Sequence, residues 1–244
     1  MREDILNQLI ALERNEVCQK QARQYPLTPI VADDNYVKNN DFAFLVGVIC
    51  DQGVKTERAW AVPLKLAERL GHLDVRLCAA YPEQIFAAFQ KKPVLHRYVD
   101  KVAWWVTAAA KKIVNEYDGI TEFVWNGKPS VTELQKRFLA FEGIGLKKAS
   151  MAISMLNRSR GVDIEGVDKN SIAVDVHVRR VLLRSGILTT NGLDVQTALE
   201  SEFPSYKLSA VGFAAWLIGR RWCHASKPDC MFCAICNNCP KLYK

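Results

Sequence analysis

Apolar side chains in this chain recur at intervals of three and four, and strictly alternating runs are scarce. That period restricts the fold to packed helices, because a half-buried strand needs a period of two. The expected class is all-α, with no internal repeat and no low-complexity segment. Ile5, Leu6, Leu9, Ile10 and Leu12 outline a first helix. Phe42–Cys50 is a short, nearly continuous apolar run: a buried element whose type periodicity alone does not decide. Lys55–Leu70 reads as an amphipathic helix closed by Gly71 and kinked at Pro63. Tyr98–Tyr117 reads as a long helix with Val102, Trp105, Val106, Ala109 and Ile113 on one side. Ser130, with Glu133 three residues on, has the form of a capping box, followed by a stripe of Leu134, Phe138 and Leu139. A glycine turn leads into a helix over Leu146–Leu156, then a polar loop over Asn157–Ser171. Asp175 opens a further helix that Gly186 closes, and Leu193–Phe203 and Leu208–Trp222 complete the set.

The net charge of +7, from 33 basic and 26 acidic side chains, favours a polyanionic partner without proving one. The longest apolar stretch falls well short of the ~20 residues that span a bilayer. The start, Met1-Arg2-Glu3-Asp4, is acidic with no apolar core behind it, so no signal peptide is expected and the expected compartment is the cytoplasm.

Eight cysteines are present, and five of them lie in the last 22 residues. A secreted disulfide scaffold would spread its cysteines through a smaller fold, so this clustering reads as metal ligation. Cys223, Cys230, Cys233 and Cys239 have the spacing C-x6-C-x2-C-x5-C, with Cys236 inside the loop as a possible substitute ligand. Zinc ordinarily uses two close cysteine pairs separated by a longer span. A [4Fe–4S] cluster takes four thiolates from a more compact loop. Only one close pair exists here, which leans toward iron–sulfur while leaving zinc open.

Two other places carry chemistry. In Glu142-Gly143-Ile144-Gly145-Leu146-Lys147-Lys148, the glycines can take positive φ and Ile144 can anchor the turn in the core. Such a turn leaves backbone N–H groups at the next helix N-terminus free to face a phosphate, although many helical hairpins carry glycine and bind nothing. Asp175 follows an apolar run and is expected to cap the helix behind it. The same position keeps a carboxylate ionised, which suits a reaction passing through a cationic sugar. His72, His96, His177 and His224 are isolated from one another and read as structural.

The hairpin, the aspartate and the cysteine spacing, in this order over about 97 residues, resemble the helix-hairpin-helix DNA glycosylase superfamily, and most of all its endonuclease III-like branch. The family's Gly-hydrophobic-Gly-x-Lys pattern is matched by Gly143, Ile144, Gly145, Leu146 and Lys147. Its Val-Asp-x-His context is matched by Asp175 and His177, and its cluster spacing by the four named cysteines. Phe44–Gln52 is similar to the family's buried helix, ending in a glutamine that enters the DNA stack. The sequence departs from the pattern at Glu142, where the family usually has proline, at Asp51, and in the length of the Asn157–Ser171 connection.

The resemblance implies a two-lobed fold. Residues 40–158 would form a six-helix barrel with the helix-hairpin-helix, and 1–39 with 159–244 a discontinuous lobe holding a [4Fe–4S] cluster. It implies a monomer acting on double-stranded DNA that carries a damaged or mismatched base, with one nucleotide flipped out. Lys147 would be the nucleophile and Asp175 the carboxylate that stabilises the developing positive charge. Gln52, Gly143, Gly145, Lys148 and Lys227 would contact DNA, and Asp51 would line the base pocket. Cys223, Cys230, Cys233 and Cys239 would hold the cluster. Oxidised pyrimidines fit the branch best, with Schiff-base β-elimination after base release. The alternatives are a monofunctional glycosylase using water activated by Asp175, a non-catalytic DNA-binding iron–sulfur protein, and a zinc-stapled helical protein.

Overall fold

In the computed structural model, residues 1–18, 30–189 and 194–242 are described, and among them every named element is helical. The chain divides into two units, Met1–Arg23 with Gly166–Lys244, and Gln24–Glu165. The first holds α1 (Arg2–Cys18), α11 (Val176–Arg184), α12 (Val195–Glu202) and α13 (Leu208–Arg221). The second holds α2 (Val31–Asn39), α3 (Asp41–Cys50), α4 (Thr56–Trp60), α5 (Val62–Leu70), α6 (Val75–Ala80), α7 (Pro82–Gln90), α8 (Val99–Glu116), α9 (Val131–Leu139) and α10 (Leu146–Arg160). No described helix is long and apolar enough to cross a membrane.

The second unit is built around α3. Every residue from Phe42 to Cys50 is buried, which explains why its sequence shows no amphipathic period. Asn40 starts the helix by accepting the Ala43 N–H at 2.8 Å. Phe44 meets Trp60 at 5.8 Å and Trp125 edge-on at 5.6 Å between ring centroids. Burying such a ring contributes about 2–3 kcal/mol. Arg160 pairs with Asp41 and lies over the Phe44 ring at 5.3 Å, so the end of α10 is fastened to the start of α3. α10 therefore runs on to Arg160, with Gly161 left-handed after it, where the sequence placed the start of a loop at Asn157.

Other differences are local. The expected Pro63 kink is a full break: α4 ends at Trp60 and α5 begins at Val62, with Pro63 in its first turn, where a missing N–H costs nothing. The Ser130–Glu133 capping box is present, and Leu134 and Phe138 are buried, but Leu139 is 41% exposed because α9 ends there. Helices α2, α6 and α7 had no clear period in the sequence, since six to nine residues make at most two and a half turns. The second unit begins before residue 40 because α2 packs on α3 and α5. It ends after 158 because Glu165 exchanges backbone hydrogen bonds with Pro129 and Val131.

The first unit has its own core. Ile5, Leu6 and Leu9 of α1 join Val178, Val181 and Leu182 of α11 and Val211, Ala214, Ala215 and Ile218 of α13. Ile235, from the cysteine-rich tail, enters the same core. The N-terminal helix and the C-terminal segment are thus one hydrophobic unit despite their separation in sequence.

Candidate functional site

The hairpin joins α9 to α10. Phe141 N–H donates to Phe138 and Ile144 N–H to Phe141, each at 3.1 Å, so the turn is tightly wound. Gly143 has φ +80°, and a Cβ there would lie 2.5 Å from the Trp105 ring, so glycine is required twice over. Ile144 is buried as the anchor. Gly145, by contrast, is extended at φ −98° and faces open space; only the first glycine of the pair uses the left-handed region. No side chain caps α10, so its first backbone N–H groups have no side-chain acceptor. Lys147, in that first turn, is exposed.

Lys148 does not face solvent, which corrects its assignment as a DNA contact. It is 7% exposed. Its Nζ donates to the Ile49 carbonyl at 2.7 Å and to the Gly143 carbonyl at 2.9 Å, and lies 5.5 Å from the Trp105 ring centroid. Burial lowers its pKa to about 8, against the opposing pull of Cys50 and Asp51. A pair of adjacent lysines on a helix points in directions about 100° apart, so one can be outside and the other inside.

Asp51 caps the C-terminus of α3 and is half-buried, and Gln52 beyond it is exposed. Gly53 has φ +65° and packs against the Tyr98 ring. His96 is fully buried: its Nδ1 accepts the Tyr98 N–H at 3.1 Å and its Nε2 lies 3.1 Å from the Cys50 carbonyl. The proton therefore sits on Nε2 and donates to Cys50. Burial pushes the ring's pKa down and keeps it neutral. Arg97 donates to the Gly53 carbonyl at 3.2 Å.

In the first unit, Asp175 is the N-cap of α11. One carboxylate oxygen accepts the His177 and Val178 N–H groups, both at 2.8 Å, and the residue is half-buried. Its position is set by α13. Gly212 and Gly219 lie two turns apart on that helix; a Cβ at 212 would lie 2.4 Å from Ile172, and one at 219 would lie 2.7 Å from His177. The segment leading into α11 is thus pressed directly onto α13 backbone. Arg180 extends the joint, donating to the Gly219 carbonyl at 2.9 Å and to the Cys223 carbonyl at 2.7 Å.

Cys223, Cys230, Cys233, Cys236 and Cys239 line one cavity with Ile218, Trp222 and Ile235, and no disulfide joins them. Among the described residues no three His, Cys, Asp or Glu groups close on a single metal ion. Burial pushes Cys233 up to about 11, with Cys223, Cys239 and Cys230 adding to the rise, and also raises Cys239. Arg184 from α11 reaches this wall: one guanidinium nitrogen lies 3.6 Å from Cys223 Sγ and 2.6 Å from the His224 carbonyl, and the other donates to Ala225 at 2.7 Å. Lys227 is exposed within this loop. Of the basic residues of the tail, Lys244 lies outside the described residues.

The sequence did not point to Arg184 or the glycine pair of α13, and it marked His96 as structural without showing which groups it would bond. The glycine pair had a signal, because two glycines seven residues apart in an apolar helix mark a face approached by backbone. Arg184 and the partners of His96 had none, since each side chain acts on main-chain carbonyls far away in sequence.

Residues 46–205 match the sequence model of the family described as HhH-GPD superfamily base excision DNA repair protein. A curated relative, endonuclease III of Sulfolobus acidocaldarius, is 24% identical over 232 residues, covering 92% of this chain and 94% of its own. A structure of a trapped endonuclease III–DNA covalent intermediate superposes with a TM-score of 0.62 at 20% identity, covering 99% of this chain and 96% of the other. A thermostable thymine-DNA glycosylase superposes at 0.61 and 13% identity with the same coverage. At these identities the superpositions speak to the fold, which is the all-α architecture described above.

Proposed function

The chain belongs to the HhH-GPD superfamily of base excision DNA repair proteins, and from that premise we propose that it is a DNA glycosylase with an abasic-site lyase step. The observation that carries the reading is the hairpin. A wound turn built on Gly143 presents uncapped backbone N–H groups and, two residues after Gly145, the exposed amine of Lys147. The N–H groups suit a phosphate and fix register without reading bases. That a covalent DNA intermediate was trapped for a structural neighbour supports a covalent step in the reading.

In the proposed reaction the neutral Lys147 amine attacks C1′ of the extruded nucleoside. The C1′–N bond breaks with its electron pair going to the base, which takes up the proton that the newly formed ammonium nitrogen gives up. The C1′–O4′ bond then breaks with its electron pair on the ring oxygen, which takes a proton from solvent, and the nitrogen lone pair closes the iminium. Removal of a proton from C2′ then expels the 3′ phosphate and cuts the strand. Asp175 remains anionic and offsets the positive charge that builds on the sugar. The His177 and Val178 N–H groups, both donating to one of its oxygens, hold the carboxylate in place. Gln52 would fill the vacated position in the stack, and the half-buried Asp51 beside it would accept hydrogen bonds from an exocyclic amine of the flipped base. Oxidised pyrimidines are the proposed substrates.

The cysteine-lined cavity fits a [4Fe–4S] cluster held by Cys223, Cys230, Cys233 and Cys239. Four thiols share one cavity with apolar walls, and the Arg184 guanidinium faces one of them, which suits thiolates spread around a polynuclear centre. When bound, the cluster supplies cross-linking of the tail and a fixed charge; Lys227 in the loop then meets a phosphate.

The test is borohydride trapping on duplexes carrying single lesions. A covalent adduct is expected with the wild type and not with Lys147→Gln. No adduct with any lesion, or equal trapping by the variant, rules out the lyase role. The second reading, a monofunctional glycosylase in which Asp175 activates water, is favoured by the thymine-DNA glycosylase neighbour. Incision of a preformed abasic site separates the two, since only the lyase performs it without alkali.

A further inference from the structure

The carbonyls at the C-terminus of a helix have no partners within it and ordinarily face water. At the end of α3 they do not. The Ile49 carbonyl accepts from Lys148, the Cys50 carbonyl from His96 and the Gly53 carbonyl from Arg97. Gly53 also rests on the Tyr98 ring, over which the Arg97 guanidinium lies at 4.9 Å. Three side chains, from two distant parts of the sequence, thus pin five consecutive residues. Only the tip, Gln52 and Gly53, is exposed. Of the three, Lys148 alone reaches the hairpin, through the Gly143 carbonyl.

We propose that Lys148 is a positioning residue, whose ammonium ties the hairpin to the 49–53 segment and so fixes the spacing between the Lys147 amine and the residues that replace and recognise the flipped nucleotide. The inference rests on the glycosylase reading above. The physical reason is preorganisation. The nucleophile sits on one side of the tie and Asp51 and Gln52 on the other, and a loss of registration of about 1 Å can cost about a hundredfold in rate. The ammonium also meets the negative end of α3, where a cation is favoured. The groups around it are Cys50 and Asp51 from α3, Lys147 from its own helix, the neighbouring His96 and the Trp105 ring, which Lys101 shares at 5.0 Å.

The test uses K148M, which keeps the stem against Trp105 and removes the donors, and K148Q, which keeps a donor amide one bond shorter. Hydrogen–deuterium exchange without DNA should speed up together in peptides covering 49–53 and 143–146 of K148M, and stay unchanged in α13. On a lesion duplex, the single-turnover excision rate at saturating enzyme should fall at least tenfold. Duplex affinity should stay within about threefold, and the salt slope should not change, because no phosphate contact is lost. K148Q should recover part of the rate, and it carries the test if K148M does not fold. A reduced salt slope with an unchanged saturated rate would make Lys148 a DNA contact and overturn the proposal. So would exchange that rises in only one of the two segments, or in neither. If the wild type excises nothing, the glycosylase reading has failed, and the exchange data still decide whether the tie exists.

Discussion

The indole N–H of Trp104 donates to the carboxylate of Glu142 at 2.7 Å, both side chains being exposed. Glu142 stands directly before the hairpin glycine, where a negative charge would repel a phosphate. The hydrogen bond draws that charge onto α8. Trp104→Phe should therefore release the carboxylate and weaken binding to any duplex by roughly two- to fivefold at low salt, the size of one exposed charge interaction. Glu142→Gln should strengthen binding by a similar factor. In the double variant the Trp104 substitution should have no further effect. Fluorescence anisotropy at several salt concentrations measures all three; strictly additive effects would show that the two residues act independently.

Gly219→Ala places a methyl 2.7 Å from His177 Cβ and 3.1 Å from its backbone. Backbone yields poorly, so a loss of about 1–3 kcal/mol is expected. Because the displaced segment carries Asp175, the excision rate should fall further than the loss of folded protein accounts for. Urea unfolding alongside single-turnover kinetics at 20 °C separates the two effects.

Stability should depend on pH through Lys148. Its folded pKa of about 8 lies below the ordinary 10.5, so between these values the unfolded chain binds more protons and stability rises with pH. The gain approaches about 1.4 kcal/mol per unit across that window. Cys50 works the other way. Burial raises it from 9 to about 12, so its contribution is present below pH 9 and lost above it. The unfolding free energy of the wild type minus that of Lys148→Met cancels the thiol contribution and should grow steadily from pH 7.5 to 9.5. A flat difference would place the amine in a solvated setting.

Cys236 shares the cavity with the four cysteines of the family spacing, yet is not assigned to the cluster. Cys236→Ser should keep the broad absorbance at about 400 nm expected of a [4Fe–4S] centre, whereas Cys233→Ser should lose it. Iron and sulfide analysis of both purified variants checks the assignment.

Lys227 is exposed in the loop between Cys223 and Cys230. Lys227→Ala should lower affinity for damaged and undamaged duplexes alike and reduce the salt slope by about 0.9, the value for one released counterion. An unchanged slope would leave Lys227 as a solvated surface residue.

Much of this protein was legible in the sequence because it is encoded locally. Helical period, the Ser130–Glu133 box, the Asp175 cap and the turn at Gly143 each depend on residues within a few positions of one another. α3 was the exception among the long elements, because a helix buried on all sides has no polar face to mark its period. The two lysines of α10 show most clearly what the sequence left undecided. Lys147 and Lys148 are the same residue type, side by side, and only the packing of α10 against α3 and Trp105 turns one outward and buries the other. Which carbonyls His96, Lys148 and Arg184 would satisfy, and which helix Gly212 and Gly219 would bring close, follow from contacts between residues some 40 to 100 positions apart. Side-chain chemistry supplies the donors; only the folded chain decides which acceptors lie within their reach.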